Sequence, residues 1–207
     1  MLDSIIEVNP NPTITYSISG RVHHLKWWDS GGHQPDEERL QAFVDDTHRI
    51  AEEHHALFGV PDWPEYTTVL HLTDTSRGGL EHMNSQTSMM PRTCLFPDHA
   101  DEYRDLVSLF SHEYLHQWNV KRLRPKSFLD YDLQSETHTD LLWWFEGATS
   151  WLGDMICVRS GAWSEEDWRL DFERKMKRHT ANNGMLRESL AESSHDAWIH
   201  LYRSGPY

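Results

Sequence analysis

The segment "SHEYLHQWN" carries the residues of this chain best suited to metal chemistry, His112, Glu113 and His116, in the pattern H-E-x-x-H. On a helix, residues four apart share a face, so the two imidazoles can aim at one point about 2 Å from each nitrogen, as zinc requires. Glu113 lies about 100° further round the helix. Its carboxylate can therefore act as the general base for a water molecule whose pKa the metal lowers to near 7.

The bare pattern needs support from its context, because the chain has 15 histidines in 207 residues. A chance match has a prior of about one in ten at this composition. The alternative is a solvated helix face with two histidines and a glutamate. The pattern is embedded among Phe110, Tyr114, Leu115 and Trp118, however, where unpaired polar groups would be costly to bury. The context therefore favours a metal site.

A catalytic zinc ion takes a third protein ligand and keeps one position open for water. The candidate is Glu146, a carboxylate in the apolar run "LLWWFEGATSW". The alternative is a buried salt bridge from Glu146 to Arg122 or Arg124. Asp154 and Thr149 are candidates for hydrogen-bonding the outer ring nitrogens of the two histidines, and spacing does not decide between them.

Helical periodicity predicts the elements that must position these residues, over residues 36–58, 103–118, 139–161, 164–179 and 187–202. The first helix has a stop signal in Gly59 and Pro61, and Ser164 with Asp167 forms a capping-box pattern for the fourth. The third is apolar nearly all round, which predicts a helix at the centre of the domain. For the fifth helix we expect a break near Ser193 and Ser194.

Two short segments have β patterns. Residues 14–18 alternate as an edge strand would, and residues 65–72 predict a strand that runs into a turn at Gly78 and Gly79. The rest of 1–35 is polar and rich in turn residues, and residues 73–101 form a long irregular segment, of a kind that is more often functional than idle. We therefore expect a mostly helical α+β fold with a small N-terminal sheet.

Composition bounds the class of protein. The chain has 38% apolar residues and a net charge of −14, which argues against nucleic acid or an anionic membrane as partner. It has no run of 18 apolar residues, and no signal peptide is recognisable, so a cytoplasmic location is the default expectation while the compartment and the oligomeric state stay open. Cys94 and Cys157 are expected to be two ordinary thiols.

The sequence resembles the PDZ-containing zinc aminopeptidases typified by glycyl aminopeptidase. "SHEYLHQWNVKRLRP" is very similar to the hallmark segment of that family, and "LLWWFEGATSWLGD" resembles its third-ligand segment. "LFGVPDWPEYTTVLHLTDTSRGGLEHMNS" is similar to the strand and turn ahead of the active site, and "LAESSHDAWIHLYR" to the helix after it. These matches run in order from about residue 20 to 203, so the resemblance covers most of the chain.

The resemblance implies a thermolysin-like (gluzincin) metallopeptidase catalytic domain that binds one zinc ion. His112, His116 and Glu146 would be its zinc ligands, and Glu113 its general base. Residues 1–100 would carry the small sheet and one helix, and residues 101–207 the helical part with the metal motif. These parts form one domain, expected to be truncated, without the family's β-rich and PDZ domains.

The segment "GGLEH", residues 78–82, is similar to the Gly-x-Met-Glu-Asn segment of the large zinc aminopeptidases. By analogy, Glu81 would bind the free α-ammonium group of a peptide substrate, and Gly79 would let the peptide lie against the backbone, with His82 in the same substrate-binding segment. The alternative for Glu81 is a carboxylate at a surface turn.

The implied function is zinc-dependent hydrolysis of the N-terminal peptide bond of peptides, with a preference for small residues such as glycine and alanine. Tyr202 is the candidate donor to the oxyanion, although a tyrosine at the end of an amphipathic helix is more often a packing residue. Two alternatives stay open at this point: a truncated zinc-binding core with little activity, and a thermolysin-like endopeptidase.

Overall fold

A computed structural model describes residues 3–130, 132 and 134–201 of the chain. Its sheet has five strands, β1 (Ile14–Ile18), β2 (Arg21–Asp29), β3 (Glu65–Thr73), β4 (Gly78–Glu81) and β5 (Ser85–Pro91). Their order is β1-β2-β3-β5-β4. The three inner strands are parallel, and the two edge strands β1 and β4 pair antiparallel with their neighbours. The predicted edge strand β1 and the predicted strand β3 are confirmed.

Five α-helices are present in the described residues, and each overlaps one of the predicted segments: α1 (Glu37–Phe58), α2 (Ala100–Leu115), α3 (Thr149–Arg159), α4 (Glu165–Thr180) and α5 (Leu190–His200). Helix α4 begins with the predicted capping box of Ser164 and Asp167. Helix α5 continues without a break, and the Ser194 hydroxyl donates to the Leu190 carbonyl at 2.6 Å inside the helix.

The sheet has three strands that the sequence did not predict, β2, β4 and β5. Strands β2 and β5 bury polar side chains, and β4 carries glycine. The inward face of β2 includes His23 and Asp29, and β5 buries Gln86, whose amide oxygen accepts a hydrogen bond from the Tyr66 hydroxyl at 3.1 Å. These groups hide the alternating apolar pattern on which the prediction depended. The predicted turn at Gly78 was wrong, since that residue begins β4.

The third helix also differs from its prediction over residues 139–161. Helix α3 begins only at Thr149, and a π-helical turn, Trp143–Ala148, precedes it. The segment lies at the surface and not at the centre of the domain, because Trp144 and Trp151 are 40% and 56% exposed. Composition that is apolar all round does not tell which face is covered, and here only one face packs inward.

Helix α2 lies between the sheet and α3, and contacts both. The α2–α3 contact is close at Gly153, where a Cβ atom would lie 3.3 Å from the backbone nitrogen of His112. The Ser111 hydroxyl also donates to the Gly153 carbonyl at 2.8 Å. This close contact fixes the position of His112 and His116 along α2 relative to Glu146. No helix of the described residues has the length and apolar character needed to cross a membrane.

Candidate active site

The two histidines of the motif converge at the end of α2. His116 follows the last residue of that helix but keeps helical dihedral angles, φ −60° and ψ −16°. The Nε2 atoms of His112 and His116 lie 3.0 Å apart, with the rings at 84° to each other. Two nitrogen ligands of a tetrahedral zinc ion, each at about 2.05 Å, lie about 3.3 Å apart. The observed spacing is close to that value.

Glu146 joins this pair from the π-helical turn before α3. Its Oε2 lies 3.1 Å from Nε2 of His112 and 3.9 Å from Nε2 of His116. Ligand atoms of the three residues all fall within 4.8 Å of one another. A π-helical turn shifts the register of a helix locally and is frequent at functional sites, and here it carries the third residue of the cluster.

The alternative partners considered for Glu146 are engaged elsewhere. Arg122 donates to Asp62 at 2.8 Å, and Arg124 donates through Nε to the Lys121 carbonyl at 2.8 Å. The carboxylate of Glu146 therefore faces the two imidazoles and not a guanidinium group.

The outer nitrogens of the two rings are held by a carbonyl and a hydroxyl group. His116 Nδ1 lies 2.7 Å from the Asn119 carbonyl, which can only accept, so Nδ1 carries the proton and Nε2 presents its lone pair to the cluster. His112 Nδ1 shares a hydrogen bond of 3.1 Å with the Ser150 hydroxyl. Burial lowers the pKa of His116, and the neighbouring His112 adds to this effect. Both features keep the His116 ring in the neutral form that binds metals.

The two residues predicted for this orienting role do not contact the rings. Thr149 accepts from the Asn119 side chain at 2.8 Å, so it acts one step further out. Asp154 accepts from the Ser108 hydroxyl at 2.8 Å and pairs with Lys175. The prediction was wrong because helical spacing gives the face on which a residue lies but not the reach of its side chain.

Glu113 is almost fully buried beside the cluster, with 4% of its surface exposed. Burial raises its pKa to about 9, and the charges of Glu81 and Glu146 add to the rise. Burial also tends to raise the pKa of Glu146, but the hydrogen bond to His112 and the two histidines lower it below its usual value. Carboxylates and neutral imidazoles that lie around one point are the donor set that a divalent cation takes. The positive charge of such a cation would lower the pKa of Glu113.

Gly79 of β4 makes room for that carboxylate. A Cβ atom at this position would lie 2.0 Å from Oε1 and 2.4 Å from Cδ of Glu113. The side chain of Glu113 is thus held directly against the strand, and any residue other than glycine must displace it. The sequence suggested a backbone role for Gly79 towards substrate, and gave no sign of this contact.

Glu81 lies two residues further along β4. The carboxylates of Glu81 and Glu113 and the ring of His116 form a second group, whose ligand atoms lie within 4.8 Å of one another. Glu81 also lines a neighbouring cavity of about 420 Å³ that includes Lys121 and Trp198. His82 lies just past the strand, where its backbone N–H donates to the Ser85 carbonyl at 2.7 Å. Tyr202 lies outside the described residues.

The face of α2 opposite the site is anchored by Tyr114, whose polar contacts have no signal in the sequence. Its hydroxyl lies 2.9 Å from Nε2 of His23 on β2 and 2.9 Å from Nε2 of His55 on α1. His23 Nδ1 lies 3.2 Å from the Arg21 carbonyl, which can only accept, so its Nε2 accepts from Tyr114 and His55 donates to Tyr114. The helix that carries the motif is therefore tied to both the sheet and α1.

This buried histidine cluster gives a prediction for stability against pH. Burial lowers the pKa of His23, His54 and His55 to about 4 each. An unfolded histidine has a pKa of about 6.5, so the unfolded chain binds more protons between these values, and stability falls as the pH drops from 6.5 towards 4. For the fully buried His54 alone, the loss at pH 5 relative to pH 7.5 is about 2 kcal/mol.

Urea unfolding at pH 7.5 and pH 5 measures this loss. The Glu113→Gln protein is the right background, because the raised pKa of Glu113 acts in the opposite direction. Adding His54→Gln will reduce the dependence of the unfolding free energy on pH, whereas adding His179→Gln, an exposed histidine of α4, will leave it unchanged. The same dependence with and without His54 would contradict the prediction.

Comparisons with known proteins found a matching family and a similar solved structure. Residues 105–207 match the family of M61 glycyl aminopeptidases. The structure is similar to the crystal structure of an aminopeptidase N family protein from Idiomarina loihiensis, with a TM-score of 0.82 and 33% identity. That likeness covers 92% of this chain and 32% of the other, so the chain spans about a third of the length of this relative. Among curated proteins none matches the chain.

Proposed function

We propose, from the match of residues 105–207 to the M61 glycyl aminopeptidase family, that this chain is the catalytic domain of a zinc-dependent aminopeptidase with a thermolysin-like (gluzincin) fold. Its reaction is hydrolysis of the N-terminal peptide bond of peptides, with glycine and alanine as the favoured first residues. The observation that carries the proposal is the convergence of His112, His116 and Glu146 on one point beside a buried glutamate. The five-stranded α+β fold and its likeness to an aminopeptidase structure support it.

The chemistry follows from the positions of these side chains. His112, His116 and Glu146 would hold one zinc ion, which supplies Lewis-acid polarisation of the scissile carbonyl and a lowered pKa for the attacking water. Glu113 takes the proton of that water and then delivers a proton to the leaving amine. Its burial and its contact with β4 hold the carboxylate in one place for both transfers.

Glu81 would fix the end of the substrate at which cleavage occurs. Its carboxylate lies in the same group of ligand atoms as Glu113 and His116. A charge-assisted bond to the free α-ammonium group at that distance restricts cleavage to the first peptide bond. Gly79 lies before Glu81 on β4, and His82 lies just after the strand. Both would contact the backbone of the bound peptide.

Substrates with free and blocked N-termini test the proposal. The zinc-loaded protein will hydrolyse glycine and alanine anilides faster than leucine anilide, and will not hydrolyse the N-acetylated forms. Glu81→Gln will raise KM for the free-amine substrates about tenfold or more, as expected for a lost charge-assisted bond. Glu65→Gln, on the exposed side of β3, is the matched control and should leave KM unchanged.

Each alternative has its own outcome in the same assays. Hydrolysis of acetylated peptides at the rate of free ones would identify an endopeptidase. Stoichiometric zinc without turnover of any substrate would identify a binding core and contradict the proposed activity.

A further inference from the structure

One wall of the cleft beside the metal cluster is cationic. The cavity has a volume of about 640 Å³, and its lining includes His112, Glu113 and Glu146. Four cationic side chains line it as well: Arg77, Arg174, Lys175 and Arg178. The chain as a whole carries a net charge of −14, so this concentration of positive charge runs against its general character. It marks the cleft as a place for an anion.

Three of the four cations are held by carboxylates of the protein. Asp105 receives two hydrogen bonds from Arg77, at 2.6 Å and 3.0 Å. Asp171 pairs with Arg174, and with Lys175 at 2.7 Å. These pairs fix the cations in position and balance part of their charge.

Arg178 is different, since it makes no ion pair with a carboxylate among the residues that the structure describes. It lies four residues after Arg174 and three after Lys175, so the three cations share one face of α4. Like charges at this spacing repel, and an anion between them relieves the repulsion. A cation in the last turn also interacts favourably with the helix dipole, but that interaction does not require the side chain to line the cleft.

Under the proposed function, this cleft would receive the part of the substrate that follows the scissile bond. Glu81, proposed to hold the α-ammonium group, lines the neighbouring cavity and not this one. The chain after the first residue must then continue past Glu113 and Glu146 into the cationic cleft. If compact, a cavity of this volume is roughly 11 Å across, which is room for about three extended residues at about 3.4 Å each.

We propose that Arg178, flanked by Arg174 and Lys175, binds a carboxylate of the substrate on the leaving-group side of the scissile bond. The inference rests on the proposed function, because it takes the amine end of the peptide to lie at Glu81. The planar guanidinium group matches a carboxylate with two parallel hydrogen bonds. That carboxylate is either the free C-terminus of a short peptide or an acidic side chain near the cleaved bond.

Paired substrates separate these two sources. Gly-Ala-Ala is compared as free acid and as C-terminal amide, and the amides of Gly-Asp-Ala and Gly-Asn-Ala are compared with each other. We expect the negatively charged member of at least one pair to have a kcat/KM about tenfold higher, through KM. A preference within the first pair identifies the C-terminal carboxylate, and one within the second pair identifies the acidic side chain.

Variants of two arginines of α4 test whether Arg178 causes the preference for the charged peptide. Arg178→Gln will abolish the preference for the charged peptide. Arg169→Gln will retain it, because Arg169 does not line the cleft and pairs with Glu166 and Glu173. Equal kcat/KM for charged and neutral peptides in the parent protein, or a preference that survives in Arg178→Gln, would overturn the proposal.

Binding gives a second readout that does not depend on turnover. Titration calorimetry of the same peptides with Glu113→Gln protein, with and without the Arg178→Gln change, measures Kd directly. A tenfold tighter Kd for the charged peptide that requires Arg178 supports the carboxylate site even if no peptide is hydrolysed, in which case only the proposed activity fails. Turnover together with equal Kd values would leave the activity standing and remove the carboxylate site.

Discussion

Glu113→Gln will lower the rate of glycine anilide hydrolysis by a factor of about 10²–10⁴, the usual contribution of a general base, and will leave one zinc ion per chain. Glutamine has nearly the shape of glutamate and fits the same buried position against β4, but it cannot take a proton. The cluster of His112, His116 and Glu146 is untouched by the change. Steady-state kinetics and metal analysis of the purified protein measure the two halves of this result.

A second glutamate of α2 provides the control. Glu102 lies in the first turn of the helix, ten residues before His112, and Glu102→Gln should turn over substrate at the parental rate. If Glu113→Gln hydrolyses the anilide as fast as the parent, the assignment of Glu113 as general base is wrong. If it loses its zinc instead, Glu113 is a ligand, which the second group of ligand atoms with Glu81 and His116 would then explain.

Gly79→Ala is expected to lower kcat about 100-fold, although it adds only one methyl group and removes no functional group. The added carbon would lie 2.0 Å from the Glu113 carboxylate, so the carboxylate must move by more than 1 Å to restore a normal contact. A displacement of that size at a catalytic group costs about 10²-fold in rate. Kinetics with glycine anilide, together with zinc content, will show lost turnover with the metal retained.

Gly78, the residue before Gly79, provides the control. A Cβ atom at Gly78 meets nothing within 4 Å, so Gly78→Ala changes the same strand by the same methyl group without touching Glu113. It should keep the parental kcat. Equal kcat values for the two alanine variants would show that the contact between β4 and Glu113 has no part in catalysis.

Local patterns in the sequence were enough to predict the motif and where the five helices lie along the chain, but not where the third helix begins. The stop signal after α1 and the capping box of α4 depend on a few neighbouring residues, so they can be read without knowledge of the fold. The four-residue spacing of His112 and His116 likewise predicts that their rings meet, and the structure places their Nε2 atoms 3.0 Å apart. Their role as zinc ligands remains a prediction.

The features that the sequence did not reveal depend on contacts between distant segments. His23 of β2 and His55 of α1 are 32 residues apart, and only the packing of α2 brings both to the Tyr114 hydroxyl. The same holds for Gly79 and Glu113, which are separated by more than 30 residues along the chain. Patterns of polarity indicate which residues are buried, but they do not tell which buried polar groups meet.

Because of the π-helical turn at Trp143–Ala148, the position of Glu146 in its cluster with His112 and His116 can change without moving the helix that follows it. Such a turn holds one residue more than an α-helix would, and each α-helical residue rotates the chain by about 100°. Removing one residue after Glu146 would return the segment to regular helix and swing that carboxylate away from the imidazoles. Helix α3 would still dock through Gly153. Deleting a single codon would thus remove Glu146 from the histidine pair and leave the helix that follows it in place.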